Sequence, residues 1–175
     1  MTRFAGEAAT KAAAPPVICE GGMQEKHEGA ASGPLDLRVW VRLLSCVMQM
    51  EKRLRRNFVD EFETTLPRFD VMASLDRYPE GQTMGDLSRS LLVSKGNVTA
   101  IVRQLEAQKL VVSTVDPNDR RSAIVALTEE GRHLFDEMAA AHHGWVQTLM
   151  ADFPRTRQRE LFELLADLKA SIAKA

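Results

Sequence analysis

Leu110-Val111-Val112-Ser113-Thr114-Val115, then Asp116-Pro117-Asn118-Asp119-Arg120-Arg121, then Ala123-Ile124-Val125-Ala126-Leu127 decide the fold. The outer runs are rich in β-branched residues and the middle one is a turn sequence, so the three read as a hairpin with a polar, doubly basic tip. Upstream, Ser94 reads as the N-cap of a helix whose inward stripe is Val98, Ile101, Val102 and Leu105. Before it, Thr83 with Asp86 three residues on matches a capping box and opens a short helix through Leu91. Pro67, suited to a first turn, starts an earlier helix that runs to about Tyr78 and turns Phe69, Met72 and Leu75 inward. Tyr78-Pro79-Glu80-Gly81 is a turn. Helix, short helix, capped helix and two-stranded wing over 66–127 make a winged helix-turn-helix.

Long helices flank this module. From Leu35 to Phe62 the apolar residues Leu37, Trp40, Leu44, Val47, Leu54, Phe58 and Phe62 keep helical spacing with no Pro or Gly between them. Thr128 restarts helix, with Glu129 and Glu130 where the dipole favours acids. That helix runs to about Asp152 along Leu134, Met138, Trp145 and Leu149, and a last one follows Pro154 along Leu161, Leu164, Leu165, Leu168 and Ile172. The class is therefore mainly α with a small β-hairpin wing. Helices over 35–62 and 128–175 carry more apolar surface than a small winged module covers, a cost of about 25 cal/mol per Å² if left wet. A homodimer interface built by these helices is expected; a monomeric bundle is the alternative. Residues 1–34 hold five of the ten Gly, three of the seven Pro and eight Ala with one aromatic, Phe4, and read as a flexible N-terminal arm.

Overall charge excludes little: 23 Lys+Arg face 24 Asp+Glu. Locally the balance differs. Arg89, Lys95, Arg103, Lys109, Arg120 and Arg121 oppose only Glu106, Asp116 and Asp119, the uneven footprint expected of phosphate contact. On the capped helix Lys95, Asn97, Thr99 and Arg103 lie off the inward stripe. Arg103 has the reach to grip guanine bidentately and Asn97 suits adenine, whereas Ser94 and Lys95 are placed for phosphate. A solvated helix face is the plain alternative for all of them. No apolar run nears the roughly 18 residues of a membrane span, Pro15-Pro16 interrupts any secretory core, and two cysteines, Cys19 and Cys46, suit a reducing cytosol, so a cytoplasmic protein without membrane contact is expected.

The stretches Leu87-Ser88-Arg89-Ser90-Leu91, Val98-Thr99-x-Ile101-Val102-x-x-Leu105-Glu106, Asp116-Pro117-x-Asp119-Arg120-Arg121-Ser122 and Leu127-Thr128-x-x-Gly131 resemble the MarR-type transcriptional regulators. The resemblance covers residues 35–175. It implies a homodimer, a palindromic operator in double-stranded DNA, action as a repressor, and release by a small ligand. It also implies that Arg121 enters the minor groove, that Asp119 holds the Arg121 guanidinium, and that Arg120 touches the DNA backbone. An effector pocket is implied where Trp40, Val41, Leu44 and Met48 of the first helix meet Phe69 and Met72 of the second. Such a lining suits an aromatic ring, and the resemblance implies an aromatic acid, a phenol or an aryl-CoA thioester as effector, with Arg42 or Arg68 for its negative charge. The chain departs from the pattern at Ala100, where Arg is usual, at Arg103, often an acid, at Lys109, commonly Gly, and at Ser113 and Thr114, frequently basic.

Other signals are weaker. Cys46 has Leu44 and Val47 for neighbours and reads as a core thiol; a redox-switched regulator acting through it is the rival reading. His27, His133, His142 and His143 form no metal constellation, and no catalytic grouping or cofactor motif is present, so neither an enzyme nor a cofactor is expected. Lys52-Arg53-Leu54-Arg55-Arg56 reads as a solvated helix face. A winged protein-interaction module without DNA binding is the remaining alternative.

Overall fold

The structure is a computed structural model that describes residues 34–117, 119 and 121–174. The arm expected over 1–34 lies, but for Pro34, outside the described residues, and so does Arg120. The elements are α1 (Leu35–Phe62), α2 (Leu66–Asp76), β1 (Gln82–Thr83), α3 (Met84–Leu91), α4 (Lys95–Ala107), β2 (Val111–Val115), β3 (Ala123–Leu127), α5 (Glu129–Leu149) and α6 (Arg155–Ile172). Mainly helical with a small sheet, the class is as expected. The chain falls into two units, Met1–Ser45 and Cys46–Ala175. In the first, the described residues form the start of α1 and expose Leu35, Leu37, Val39, Trp40 and Leu44.

The helix starts follow local chemistry. Thr83, Ser94 and Thr128 each accept, through the side-chain oxygen, the N–H three residues on: Asp86 at 3.2 Å, Asn97 at 3.3 Å and Gly131 at 3.0 Å. Each bond satisfies one of the donors a helix leaves open at its N-terminus. Pro67 sits in the first turn of α2 as expected. α5 ends at Leu149, shorter than the expected Asp152, because Met150 and Ala151 close back on Val146, Gln147 and Thr148 before Pro154 is reached.

The expected two-stranded wing is a three-stranded antiparallel sheet of order β1-β3-β2. β2 pairs with β3 from Val111 opposite Leu127 to Val115 opposite Ala123, and β1 adds Gln82 opposite Val125 and Thr83 opposite Ile124. Two residues are too few to show an alternating pattern, which is why β1 escapes a sequence reading. Gly81 makes the pairing possible: its φ is 87°, and a Cβ there would lie 2.6 Å from the Ile124 side chain and 2.7 Å from the Val125 carbonyl oxygen.

The second unit's core joins Phe58 of α1, Phe69, Val71, Met72 and Leu75 of α2, Leu87 of α3, Val98, Val102 and Leu105 of α4, strand residues Val111, Val125 and Leu127, and Phe135 and Met138 of α5. The stripe expected on α4 is right, with Ile101 partly buried. On α5 the buried residues are Gly131, Phe135 and Met138, whereas the expected Leu134, Trp145 and Leu149 are only partly covered. On α1 only Leu54 and Phe58 of the expected stripe are buried.

The Leu127-Thr128-x-x-Gly131 run has a steric cause. The Thr128 N–H donates to the Leu110 carbonyl at 3.1 Å and its hydroxyl to the Lys109 carbonyl at 2.8 Å. These bonds draw the start of α5 so close that a Cβ on Gly131 would sit 1.9 Å from the Leu110 oxygen. Only a residue without a side chain admits that approach. Lys109, where the family that the sequence resembles commonly has Gly, follows the capped helix α4 and is left-handed, φ 59°.

Candidate nucleic-acid interface

α3, the turn 92–94 and α4 form the helix-turn-helix. Leu92 takes a left-handed conformation, φ 55°, and two bonds lock the turn: the Val93 N–H to the Ser88 carbonyl at 3.2 Å, and the Ser88 hydroxyl to the Val93 carbonyl at 2.6 Å. Burial of Val98, Val102 and Leu105 then fixes which side of α4 faces out. Ser94, Lys95, Asn97 and Arg103 are exposed and Thr99 is partly so. Lys95, Thr99 and Arg103 follow one another at intervals of four, the spacing of neighbours on one helix face. Gly96 and Ala100 share that outward side, and a Cβ on Gly96 would meet nothing within 4 Å. A large partner is thus free to approach the helix backbone closely between the two cations. The Thr99 hydroxyl donates to the Lys95 carbonyl at 2.8 Å, so its methyl is what it offers outward.

The wing carries Asp119 and Arg121, both exposed. The expected bond from Asp119 to the Arg121 guanidinium is replaced by one to the main chain. Asp119 Oδ1 accepts the Arg121 N–H at 3.0 Å, and its carbonyl accepts the Ser122 N–H at 2.8 Å. Asp119 therefore shapes the turn, as short acidic side chains do, and leaves the guanidinium unpaired among the described residues. Ser113, expected only as a missing charge, donates its hydroxyl to the Glu106 carboxylate and ties β2 to α4. Arg89, a member of the local basic excess, is bonded to Asp86.

The residues expected to take an effector are dispersed in kind. Phe69 and Met72 are buried in the core, and Met48 is exposed on α1. In the first unit Trp40 and Leu44 are exposed and Val41 is partly so. Cys46 is exposed, which corrects the expected core position; its apolar neighbours Leu44 and Val47 are exposed as well, so the stretch of α1 around it is not packed into the core. Sequence reading also missed an aromatic cluster. The Phe69 ring lies 4.7 Å from Phe58, 5.6 Å from Phe135 and 4.9 Å from His142, and Trp145 meets Phe58 edge-on at 4.9 Å. Burial first, and His143 second, hold His142 below the usual imidazole range. Asp70, on the same helix as Phe69, is pushed up by burial, with Arg55 opposing and Glu51 adding to the rise. Among the described residues no three His, Cys, Asp or Glu side chains could hold a metal, and no helix is long and apolar enough to cross a membrane.

The MarR family model matches residues 63–122, which hold α2, α3, α4 and most of the wing. The chain is 33% identical over 116 residues to the transcriptional activatory protein BadR of Rhodopseudomonas palustris, covering 64% of this chain and 66% of that protein, a little under two thirds of the relative's length. Among solved structures, a MarR family transcriptional regulator from Silicibacter pomeroyi is 30% identical at a TM-score of 0.67, with 78% of this chain and 94% of that one covered. CouR of Rhodococcus jostii RHA1, solved bound to p-coumaroyl-CoA, shares the fold at a TM-score of 0.67 and 23% identity, over 78% of this chain and 95% of CouR. With a relative matched almost end to end and the capped helix and wing placed as described, the chain belongs to the MarR family of transcriptional regulators.

Proposed function

We propose that this protein acts as a homodimer, occupies a palindromic site in double-stranded DNA, and is released from it by a small aromatic effector. The observation that carries the reading is the exposed side of α4, where Lys95 and Arg103 flank the small Gly96 and Ala100, beside a wing whose Arg121 has no acid on its guanidinium among the described residues. In this reading Arg103 and Asn97 address bases, Ser94 and Lys95 settle the helix against the backbone with Thr99 beside them on the same face, and Arg121 reaches the minor groove with Asp119 shaping its turn. Repression is the direct outcome of occupancy, since a filled groove excludes other proteins. Activation is the second reading, favoured by the name of the R. palustris relative.

Pairing is supported by α6, which buries no residue and leaves Phe162 and Ile172 71% and 67% exposed. Apolar surface of that extent is costly in water, and two-fold association is the commonest way to cover it. Support for an aromatic effector comes from CouR, which was solved with an aryl-CoA thioester, and from the apolar core residues Phe69 and Met72, the first of which has its ring beside His142. Anisotropy titration of a labelled duplex tests the DNA assignment. Arg121→Ala is expected to weaken binding by about 1–3 kcal/mol with unchanged circular dichroism, and binding by the native chain should fall steeply with salt. Unchanged affinity in the variant would refute the role of the wing.

A further inference from the structure

Arg68 lies in the first turn of α2 and is partly buried. Its Nη2 donates to the side-chain oxygen of Gln108, the residue that caps the C-terminus of α4. Nε, the next nitrogen on the same edge of the guanidinium, is buried and has no acceptor among the described residues. Among the described residues no carboxylate pairs with Arg68, whereas Arg55, Arg56, Arg89, Arg132 and Arg157 each have one. Burial also holds the Arg68 guanidinium below its ordinary range, in keeping with a cation that has lost water without gaining a counter-charge.

Nε and Nη2 form the side-on fork that receives both oxygens of a planar anion in two parallel bonds. Here a neutral amide oxygen fills half of that fork and nothing fills the other half. We infer that Arg68 is a receptor for the carboxylate of a small ligand, and that the Gln108 side chain occupies the place of one carboxylate oxygen until the ligand arrives. The inference rests on the reading of the chain as an effector-responsive regulator and names the anchor for the effector's charge. Gln108 is exposed, so its side chain can leave without repacking the core. Its backbone N–H meanwhile stays bonded to the Gln104 and Leu105 carbonyls, at 3.3 and 3.2 Å. The side-chain bond is thus a tether between the first turn of α2 and the last turn of the reading helix. A carboxylate that takes the fork cuts the tether, and so couples ligand binding to α4.

The test uses the full chain with sodium benzoate as probe and sodium phosphate as the competing oxyanion, read by calorimetric titration and thermal shift. Benzoate is expected to bind and to raise the melting temperature. Arg68→Met, which keeps the length of the side chain and removes the fork, should weaken benzoate about tenfold or more while still melting cooperatively. Arg68→Lys should also lose affinity, since a point charge cannot grip two oxygens at once. Gln108→Ala should bind benzoate several-fold more tightly, because the internal competitor is gone. Equal benzoate affinity in Arg68→Met, weaker binding in Gln108→Ala, or no binding by the native chain overturns the proposal. An Arg68-dependent response to phosphate with none to benzoate overturns the carboxylate assignment. Duplex binding is measured separately without either anion: failure there overturns the regulator reading, whereas loss of benzoate in Arg68→Met with duplex affinity retained supports the anchor alone.

Discussion

Gly131 holds the joint between wing and α5 by the absence of a side chain. A methyl group there would fall 1.9 Å from the Leu110 carbonyl oxygen, a backbone atom that cannot swing aside. Gly131→Ala is expected to cost about 3 kcal/mol, the upper range for overpacking, and a chemical denaturation curve measures it. Lys109 is the opposite case: a side chain in the left-handed region, φ 59°, where glycine is at home. Lys109→Gly should stabilise the fold by about 1 kcal/mol at most, because the strain relieved is offset by the extra freedom glycine has when unfolded. A fall in the denaturation midpoint would contradict this. Lys109 was marked in sequence only through the resemblance to a family that commonly has Gly at that position. Leu92 adopts the same conformation, φ 55°, without any such mark, because the bonds that impose it come from Ser88 one turn earlier.

The elements themselves were largely legible because their signals are local. Thr83, Ser94 and Thr128 act within three residues, and the hairpin follows from two β-branched runs around a turn. What stayed hidden depends on neighbours distant in sequence. Periodicity places Trp40, Leu44, Val47 and Leu54 on one stripe, yet only Leu54 among these is covered. Leu134 and Phe135 differ by 100° of helix rotation, and it is the distant core, Phe69 among it, that sets Phe135 inward. The site shows the same division. The exposed cations of α4 could be read from the stripe they avoid, whereas the bond between Arg68 and Gln108, 40 residues apart, could not. The α2 helix gives an element-scale prediction through Asp70. Burial raises its pKa above the ordinary 3.8, so the folded state binds its proton more tightly than the unfolded chain does. That contribution is complete below 3.8 and is lost as pH rises through the folded-state value, which leaves a penalty at neutral pH. Asp70→Asn should therefore raise the melting temperature at pH 7 and flatten its decline between acid and neutral pH. Equal pH dependence in native chain and variant would show that Asp70 ionises without cost.

For the whole molecule, a single reading module is a weak instrument, since one helix contacts only a few base pairs and most of its grip on phosphate is blind to sequence. The pairing proposed above would repair this by presenting two such helices to successive turns of one duplex, about 34 Å apart. In the proposed dimer the wet apolar side chains of α6 would supply the driving force, and the spacing between the two modules would supply the specificity. Sequence made the surplus of apolar surface visible but not its partner, because helical period records a buried side without saying what buries it. In vitro selection of duplexes by the full-length protein, followed by sequencing, tests pairing and DNA reading together. The account predicts an enriched inverted repeat whose half-sites are centred about 10 base pairs apart. Enrichment of a lone, unrepeated half-site, or of no sequence at all, would contradict it.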